Sequence, residues 1–483
     1  MATDSSVISG RKRERVRLDQ VLSSTRPEFL ALYGRRRVGK TFLVRRFFAG
    51  RARMFEVSGR YGGTMADNLQ VFADAMADTF HGGAKLAVPR SWHEAFRSLE
   101  HELDRRRSKQ KWVLFFDELP WLATRKSGCL EELEHFWNRW CSKRPNIILV
   151  VCGSAASWML RHVVHGHGGL HNRLTGTLRL LPFSLAEAHE LLEDRGVRLT
   201  RHQMVELHMV LGGVPHYLDK VPRGLSVAQV IDALCFAPDG ALAGEFDHLF
   251  ASLFSDDEIY QRVVRQLART RRGVSRDELL RALGASSGGG IHRVLVNLEE
   301  AGFIQTVIPF GRARRDRFYR LVDEFSLFHL QWIEGRRPGK RGDWTSIRGT
   351  AKWNTWAGLA FEALCGSHVG AIERALGISG VRTEASSWQH RARGRGDDGA
   401  QIDLLIDRAD DVISVCELKH TVTPFVITKR YAEELRKKLA VFQHETRTRK
   451  NLQLVLVTTA GVLANAYARD LVDREVGLDA FWS

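Results

Sequence analysis

One eight-residue run constrains this chain more than any other: Gly34-Arg35-Arg36-Arg37-Val38-Gly39-Lys40-Thr41. It fits G-x-x-x-x-G-K-[ST], a loop whose backbone N–H groups cradle phosphate oxygens. Its flanks decide the fold. Phe29 to Tyr33 (FLALY) is an apolar run of strand length, and Phe42 to Phe48 (FLVRRFF) reads as the helix leaving the loop. Strand, loop and helix in that order predict a parallel α/β sheet with its ligand beyond the carboxyl ends of the strands. The glycines let N–H groups turn inward, and the helix N-terminus adds a positive dipole. Lys40 is expected to reach the β- and γ-phosphates of ATP, and Thr41 to hold Mg²⁺ through its hydroxyl. The three arginines inside the loop have no assigned role: solvent, a partner subunit and nucleic acid all remain open for them.

Two later strands complete the expected site. Lys111 to Glu118 (KWVLFFDE) is an apolar run ending in two carboxylates. Buried parallel strands read as continuous apolar runs. Asp117 is expected to hold Mg²⁺, and Glu118 to polarise the attacking water as general base. Pro145 to Gly153 (PNIILVVCG) is a third buried strand, and it delivers Ser154 as a candidate γ-phosphate sensor. Beyond it, Arg173 and Arg161 are candidates to stabilise transition-state charge. Helical spacing appears over Gly10 to Val21, Met65 to Phe80 and Ser91 to Leu103, and a further strand around Met54 to Ser58.

Composition narrows the class. At 483 residues the chain is long enough for about three domains. Its formal net charge of +16 favours a polyanionic partner, most simply nucleic acid. The six cysteines are scattered with no C-x-x-C pair, which argues against a disulfide framework or a structural zinc site. There is no apolar leader and no apolar run of about 18 residues, so a cytoplasmic chain with no membrane partner is expected.

The order of motifs now carries a resemblance. The phosphate loop, FFDE, GSA (153–155), HNRLTGTLRLLPFSLAE (171–187) and GGVPHYL (212–218) resemble the archaeal-type ATPase family, over roughly residues 10–240. That family is close to the AAA+ and STAND classes and distantly similar to origin-recognition initiators. The resemblance implies ATPase activity and a nucleotide site at a subunit interface or acting as a switch. It also implies that a Gly-x-Pro element, here Gly213 and Pro215, approaches the nucleotide base.

The rest of the chain reads as two further modules. Ser255 to Ala268, Ser275 to Leu283 and Ile291 to Ala301 are expected helices, the second opening on the capping pair Ser275 and Glu278. Gly302 to Ile308 and Arg317 to Leu321 are expected strands joined by the basic turn 311–315. Three short helices and a hairpin form the winged helix-turn-helix pattern. His292, Arg293 and the turn arginines are its candidates for duplex contact, although such a module also serves for packing or dimerisation. The Gly- and Arg-rich stretch 335–349 reads as a linker.

After it, Trp353 to Cys365 is an expected helix carrying Glu362. Gln401 to Asp407 and Val412 to Lys419 are expected strands carrying Asp403, Glu417 and Lys419. A period of two puts Glu417 and Lys419 on one face. Asp403 followed by Glu417-x-Lys419 resembles the PD-(D/E)XK nuclease fold, and the archaeal-type ATPase family is often followed by such a domain. The resemblance implies that Asp403 and Glu417 bind Mg²⁺, that Lys419 orients water and that Glu362 contributes an acid. The residue before Asp403 is Ile402, where that motif's name has proline.

The expected architecture is therefore α/β: a P-loop ATPase core with a parallel sheet (1–182), a helical lid (183–250), a winged helix-turn-helix (251–335) and a restriction-endonuclease-like α/β domain (345–483). The expected function is ATP binding and hydrolysis coupled to Mg²⁺-dependent cleavage of nucleic acid, double-stranded DNA ahead of RNA, with assembly into a homo-oligomer. The alternative is a nucleotide-gated DNA-binding switch or scaffold without nuclease activity.

Overall fold

The computed structural model describes residues 8–106, 108–165, 170–254, 256–270, 273–284, 288–336, 343–392, 394 and 398–482. The chain divides into two compact units, Met1–Pro182 and Phe183–Ser483.

The first unit is built on five parallel strands: β1 (Glu28–Tyr33), β2 (Arg53–Ser58), β3 (Trp112–Asp117), β4 (Ile147–Gly153) and β5 (Gly176–Arg179). Their order is β2-β3-β4-β1-β5. Every residue of β3 and β4 is buried, which is why both read as unbroken apolar runs. Alternation feeds two cores. Phe29 and Ala31 of β1, with Leu114 and Phe116 of β3, pack on one face against the helices Met65–Phe80, Trp92–Arg105 and Cys129–Arg139. Leu30 and Leu32, with Val113 and Phe115, pack on the other against Lys12–Ser23 and Lys40–Phe48. The rings of Phe96 and Phe136 stack 5.0 Å apart within the first core. The helices the spacing predicts are all present, and Ser91 caps Trp92–Arg105 by accepting the Glu94 N–H. Because all five strands are parallel, the carboxyl ends of β1, β3 and β4 lie on one edge. Strand β4 stands between β3 and β1, with Phe115 beside Val150 and Val150 beside Leu30.

The second unit begins with helices, including Leu185–Asp194, Arg201–Leu211, Pro215–Leu218 and Glu245–Leu253. Helices Asp257–Ala268, Arg276–Leu283 and Gly288–Glu300 follow. The predicted Ser255 start of the first of these lies outside the described residues. The Ser275–Glu278 capping pair forms as expected. Strands β6 (Val274–Ser275), β7 (Ile304–Val307) and β8 (Phe318–Leu321) make an antiparallel sheet in the order β6-β8-β7. A second sheet follows, in the order β13-β12-β11-β10-β9: β9 (Thr383–His390), β10 (Ala400–Arg408), β11 (Val412–Lys419), β12 (Asn451–Thr458) and β13 (Arg474–Val476). Strands β9 to β11 pair antiparallel, and β11 to β13 pair parallel.

One hydrophobic cluster runs through this unit from Phe183 to Phe481. The stretch expected as a linker differs from that expectation in its described part. Asp343–Ile347 is helical and Trp344 is fully buried. Asp232 holds it by accepting from the backbone N–H of Trp344 and from Thr345. A tryptophan among glycines and arginines supplies the anchor that composition alone hides. Residues 337–342 lie outside the described residues. Arg348 then makes a two-pronged contact, at 2.8 and 3.0 Å, with the buried carboxylate of Glu206.

Candidate nucleotide site and the C-terminal carboxylate face

The loop from Gly34 to Gly39 sits at the carboxyl end of β1, and the helix Lys40–Phe48 leaves it. Gly34 has φ 153°, and a Cβ there would stand 2.2 Å from the Leu180 carbonyl oxygen. The close approach exists because Leu180 donates its N–H to Tyr33 O at 2.7 Å. Arg37 (φ 73°) and Gly39 (φ 87°) turn the chain back, and no side chain caps the helix that follows. Its N-terminal N–H groups and dipole form an anion-attracting end.

The polar side chains converge. Lys40 is buried and donates to the carbonyls of Gly34 and Arg35, both at 3.0 Å, so the loop wraps its own ammonium. Thr41 Oγ1 donates to Asp117 Oδ2 at 2.7 Å, joining the loop to the end of β3 across 76 residues. Asp117 Oδ1 accepts the Glu118 N–H. Glu118 is left-handed (φ 48°, ψ 49°), an uncommon state for a non-glycine residue. That reversal leads its carboxylate to the end of β4, where Glu118 Oε2 accepts from Ser154 N at 3.1 Å and Ser154 Oγ at 2.8 Å. Lys40, Thr41, Asp117, Glu118 and Ser154 are thus linked in one place.

The loop arginines part ways. Arg35 is buried, while Arg36 lies 5.8 Å from the centroid of the Trp121 ring. Val38 is buried, and its carbonyl accepts from buried Arg11 at 3.0 Å. Arg11 is a support that sequence reading missed; its only signal was a basic helix ahead of β1. Arg173 is exposed on the turn His171–Arg173, and among the described residues no hydrogen bond or ion pair ties its side chain to the loop. Arg161 is exposed as well. Pro215 belongs to the second unit, where it opens the helix Pro215–Leu218. Beside it, Gly213 O accepts the Phe183 N–H, and a Cβ on Gly213 would stand 1.8 Å from the Phe183 carbonyl oxygen.

On the C-terminal sheet, Leu404 of β10 faces Cys416 of β11 across an antiparallel ladder. The next residue on each strand is Asp403 and Glu417, so the two acids are cross-strand neighbours. Lys419 shares their face, and its Nζ is 2.9 Å from Glu417 Oε1. The register of β10 against β9 shifts between Ile402 and Leu405, a local irregularity centred on Asp403. Two further groups among the described residues hold Glu417. Tyr431 donates to Oε1 at 2.5 Å and Lys438 to Oε2 at 2.6 Å, both from the helix Lys429–Thr446. Burial pushes the Glu417 carboxyl up, but the charges of Lys438 and Lys419 and the bonds from Lys438 and Tyr431 outweigh it and hold it at about 2. The Tyr431 phenol is pushed up by burial and by Glu417. Asp403 Oδ1 accepts from Gln401 at 2.5 Å. Glu362 lies on the helix Ala351–Ser367, and its charge together with that of Asp403 acts on Arg320 of β8. Tyr431, Lys438 and Arg320 were not expected here; no spacing rule links them to the D…ExK pattern.

The two places differ in fitness for a divalent cation. Thr41 Oγ1 and Asp117 Oδ2 are hard oxygens at the mouth of a phosphate loop, the donor set Mg²⁺ takes beside a nucleotide. The C-terminal face does not fit as it stands, because lysines and a phenol already occupy the Glu417 oxygens. Among the described residues no group of three or more His, Cys, Asp or Glu is arranged to hold a metal. Nor, among them, is any helix long and apolar enough to cross a membrane.

Comparison with known proteins agrees with the loop. Residues 9–221 match the family model described as an ATPase domain predominantly from Archaea. An uncharacterized protein of Methanocaldococcus jannaschii is 23% identical over 402 residues, covering 82% of this chain and 83% of its own length. Among solved structures, the Walker-type ATPase PABY2304 of Pyrococcus abyssi aligns with 68% of this chain and 97% of its own, at 20% identity and a TM-score of 0.47. The ORC2 protein of Aeropyrum pernix, in ADPNP–ADP complexes, aligns with 68% of this chain and 95% of its own, at 16% identity and a TM-score of 0.41. Residues 9–221, which contain the phosphate loop and the strand ends joined to it, are thus similar to an ATPase domain predominantly from Archaea.

Proposed function

We propose that the chain binds and hydrolyses MgATP at the loop and uses that cycle to control contact with nucleic acid. The single observation that carries the reading is the Thr41–Asp117 hydrogen bond beside Lys40. It sets a hydroxyl, a carboxylate and an ammonium around the mouth of a helix N-terminus, the set that phosphoryl transfer needs. Mg²⁺, when held by Thr41 and Asp117, supplies charge neutralisation at the β- and γ-phosphates. Lys40 exchanges its loop carbonyls for phosphate oxygens. Glu118 lies at the carboxyl end of the next strand but one from β1, and is the base that takes a proton from water. Ser154 holds the Glu118 carboxylate through two bonds. Nucleotide entry draws the Ser154 hydroxyl to the γ-phosphate and releases Glu118.

The nucleic-acid half of the reading rests on charge and form. Helices 257–268, 276–283 and 288–300 with the β6-β8-β7 sheet have the composition of a winged helix-turn-helix. His292 and Arg293 are exposed on its third helix, and Arg312, Arg314, Arg315 and Arg317 are exposed around the β7–β8 turn. Phosphate contact suits arginines better than base reading does. The test pairs two titrations: MgATP binding by wild type and Lys40→Ala, and duplex binding against salt. Unchanged ATP affinity in Lys40→Ala sinks the site assignment, and duplex binding that ignores salt sinks the partner.

The second reading is cleavage at the C-terminal face, and the cross-strand placement of Asp403 and Glu417 with Lys419 favours it. The donor set there is already matched by protein cations, so we derive no metal-dependent step. Plasmid and RNA incubated with Mg²⁺ or EDTA, with and without ATP, separate the readings. Equal absence of nicking by wild type and Glu417→Ala leaves the switch.

A further inference from the structure

Glu118 leaves β3 in a left-handed backbone state that a side chain disfavours, and such a state persists only where its surroundings hold it. The turn that follows supplies part of the hold. Trp121 and Leu122 both donate their N–H groups back to the Glu118 carbonyl, at 2.8 and 3.4 Å, closing the short helix Leu119–Leu122. The end of β2 supplies another part. Ser58 stands opposite Asp117 in the sheet, so Gly59 and Glu118 leave neighbouring strands side by side. Gly59 donates its N–H to Asp117 O at 3.0 Å. A Cβ on Gly59 would stand 2.6 Å from the Glu118 carbonyl oxygen and 2.8 Å from the Leu122 nitrogen, so the two turns meet backbone to backbone. One side chain then ties them. Asn68 is fully buried near the start of the helix Met65–Phe80, which the Thr64–Asp67 capping box sets in place. Its Oδ1 accepts the Arg60 N–H at 3.0 Å, just beyond β2, and its Nδ2 donates to Trp121 O at 2.8 Å, in the turn beyond β3. A carboxamide carries donor and acceptor together, and here each serves one turn.

We propose that Asn68 is a positioning residue for Glu118. By joining the turn 118–122 to the end of β2, it keeps the left-handed backbone from which the Glu118 carboxylate reaches Ser154. The inference rests on reading Glu118 as the base of ATP hydrolysis. Among the described residues, the hydrogen bonds of the Asn68 side chain go to neither the phosphate loop nor the Asp117 carboxylate. Asn68 therefore serves the hydrolytic step and leaves nucleotide binding to Lys40, Thr41 and Asp117. Asn68→Asp keeps the shape and the acceptor for Arg60, but it sets an oxygen against the Trp121 carbonyl where a donor stood. The turn shifts, and a base displaced by even a fraction of its reach loses much of its effect.

The experiment uses the full chain and MgATP, with phosphate release followed over a range of ATP concentrations. Asn68→Asp is expected to lower kcat about ten- to a hundredfold and to leave KM within about twofold. Gly59→Ala drives a methyl into the Glu118 carbonyl from the β2 side and is expected to show the same split, so the test does not hang on one variant's folding. The deciding measurement is the cycle with Glu118→Gln. If Asn68 acts through Glu118, then Asn68→Asp costs no more than about twofold further in kcat once Glu118 is already glutamine. A merely structural asparagine gives the same fold-loss in both backgrounds, and that result overturns the proposal. So does a raised KM with kcat unchanged. A slow Glu118→Gln beside Asn68→Asp and Gly59→Ala of wild-type kcat overturns the positioning role alone. Wild-type turnover by Glu118→Gln overturns the reading of Glu118 as base, and the role of Asn68 with it.

Discussion

Glu417 tests whether the C-terminal face is a charge cluster balanced by the protein itself. Its carboxyl titrates at about 2 against an ordinary 4.5, with Lys438 and Lys419 overcoming the effect of burial. A folded-state value below the unfolded one means that the folded chain binds fewer protons in the interval between them. The stabilisation is therefore full above the unfolded value and is lost as pH falls through about 2. At about 1.4 kcal/mol per unit, the cluster contributes about 3 kcal/mol at neutral pH, of which about 2 kcal/mol is gone by pH 3. Glu417→Gln keeps the shape and removes the titration. The gap in unfolding free energy between wild type and Glu417→Gln, measured by urea titration with tryptophan fluorescence, is expected to narrow by about 2 kcal/mol from pH 7 to pH 3. All other carboxylates cancel in that difference. Lys438→Met is expected to cost about 2–3 kcal/mol at pH 7, since Lys419 and Tyr431 remain, and to move the acid loss to higher pH. A gap that is the same at both pH values would falsify the charge-cluster account. It would mean that Glu417 is protonated in the folded chain or that solvent, not lysine, carries its charge.

Other predictions follow from single contacts. Thr41→Ala should lose about 10- to 150-fold of the difference between ATP affinity with and without Mg²⁺, the value of one hydrogen bond to a charged group, while Thr41→Ser keeps it; isothermal titration at two Mg²⁺ levels checks this. Glu118→Gln should hold ATP with wild-type affinity and hydrolyse it about 10²- to 10⁴-fold more slowly, read by phosphate release. Gly213→Ala places a methyl on the Phe183 carbonyl, so a loss of stability above about 3 kcal/mol is expected in thermal unfolding. A normal melting temperature with weakened ATP binding would instead support a nucleotide contact there. Arg348→Ala strands the buried Glu206 carboxylate and should cost about 3–5 kcal/mol, with partial recovery in the double variant carrying Glu206→Gln.

The first unit was legible because each of its signals is local. β3 and β4 are buried on both faces, so apolar runs mark them without knowledge of their neighbours. The loop motif, the paired acids at 117–118 and Ser154 each sit directly at a strand end, and parallel strands bring such ends to one edge. What sequence could not supply was pairing at a distance. The Ser154–Glu118 bond depends on β4 lying next to β3, and on a left-handed Glu118 that no propensity scale predicts. Trp344 and Asp232 stand 112 residues apart, and only the folded chain shows that the glycine-rich stretch is pinned there.

The C-terminal face makes the same point about chemistry. The types and spacing of Asp403, Glu417 and Lys419 are visible in the sequence because one antiparallel turn brings them together. Whether they form a metal site is decided by groups that the pattern does not contain. Lys438 comes 21 residues after Glu417, Tyr431 comes 14 after it, and Arg320 arrives from the preceding sheet. A carboxylate pair surrounded by solvent invites a cation; the same pair facing half-buried protein cations has its charge met already. Groups from elsewhere in the chain therefore set the charge around the acids, among them Lys438, Tyr431 and Arg320. Of these, Lys438 and Tyr431 share one helix packed on the sheet, so they are fixed features of it. Arg320 instead comes from β8, whose hairpin carries four exposed arginines at its turn.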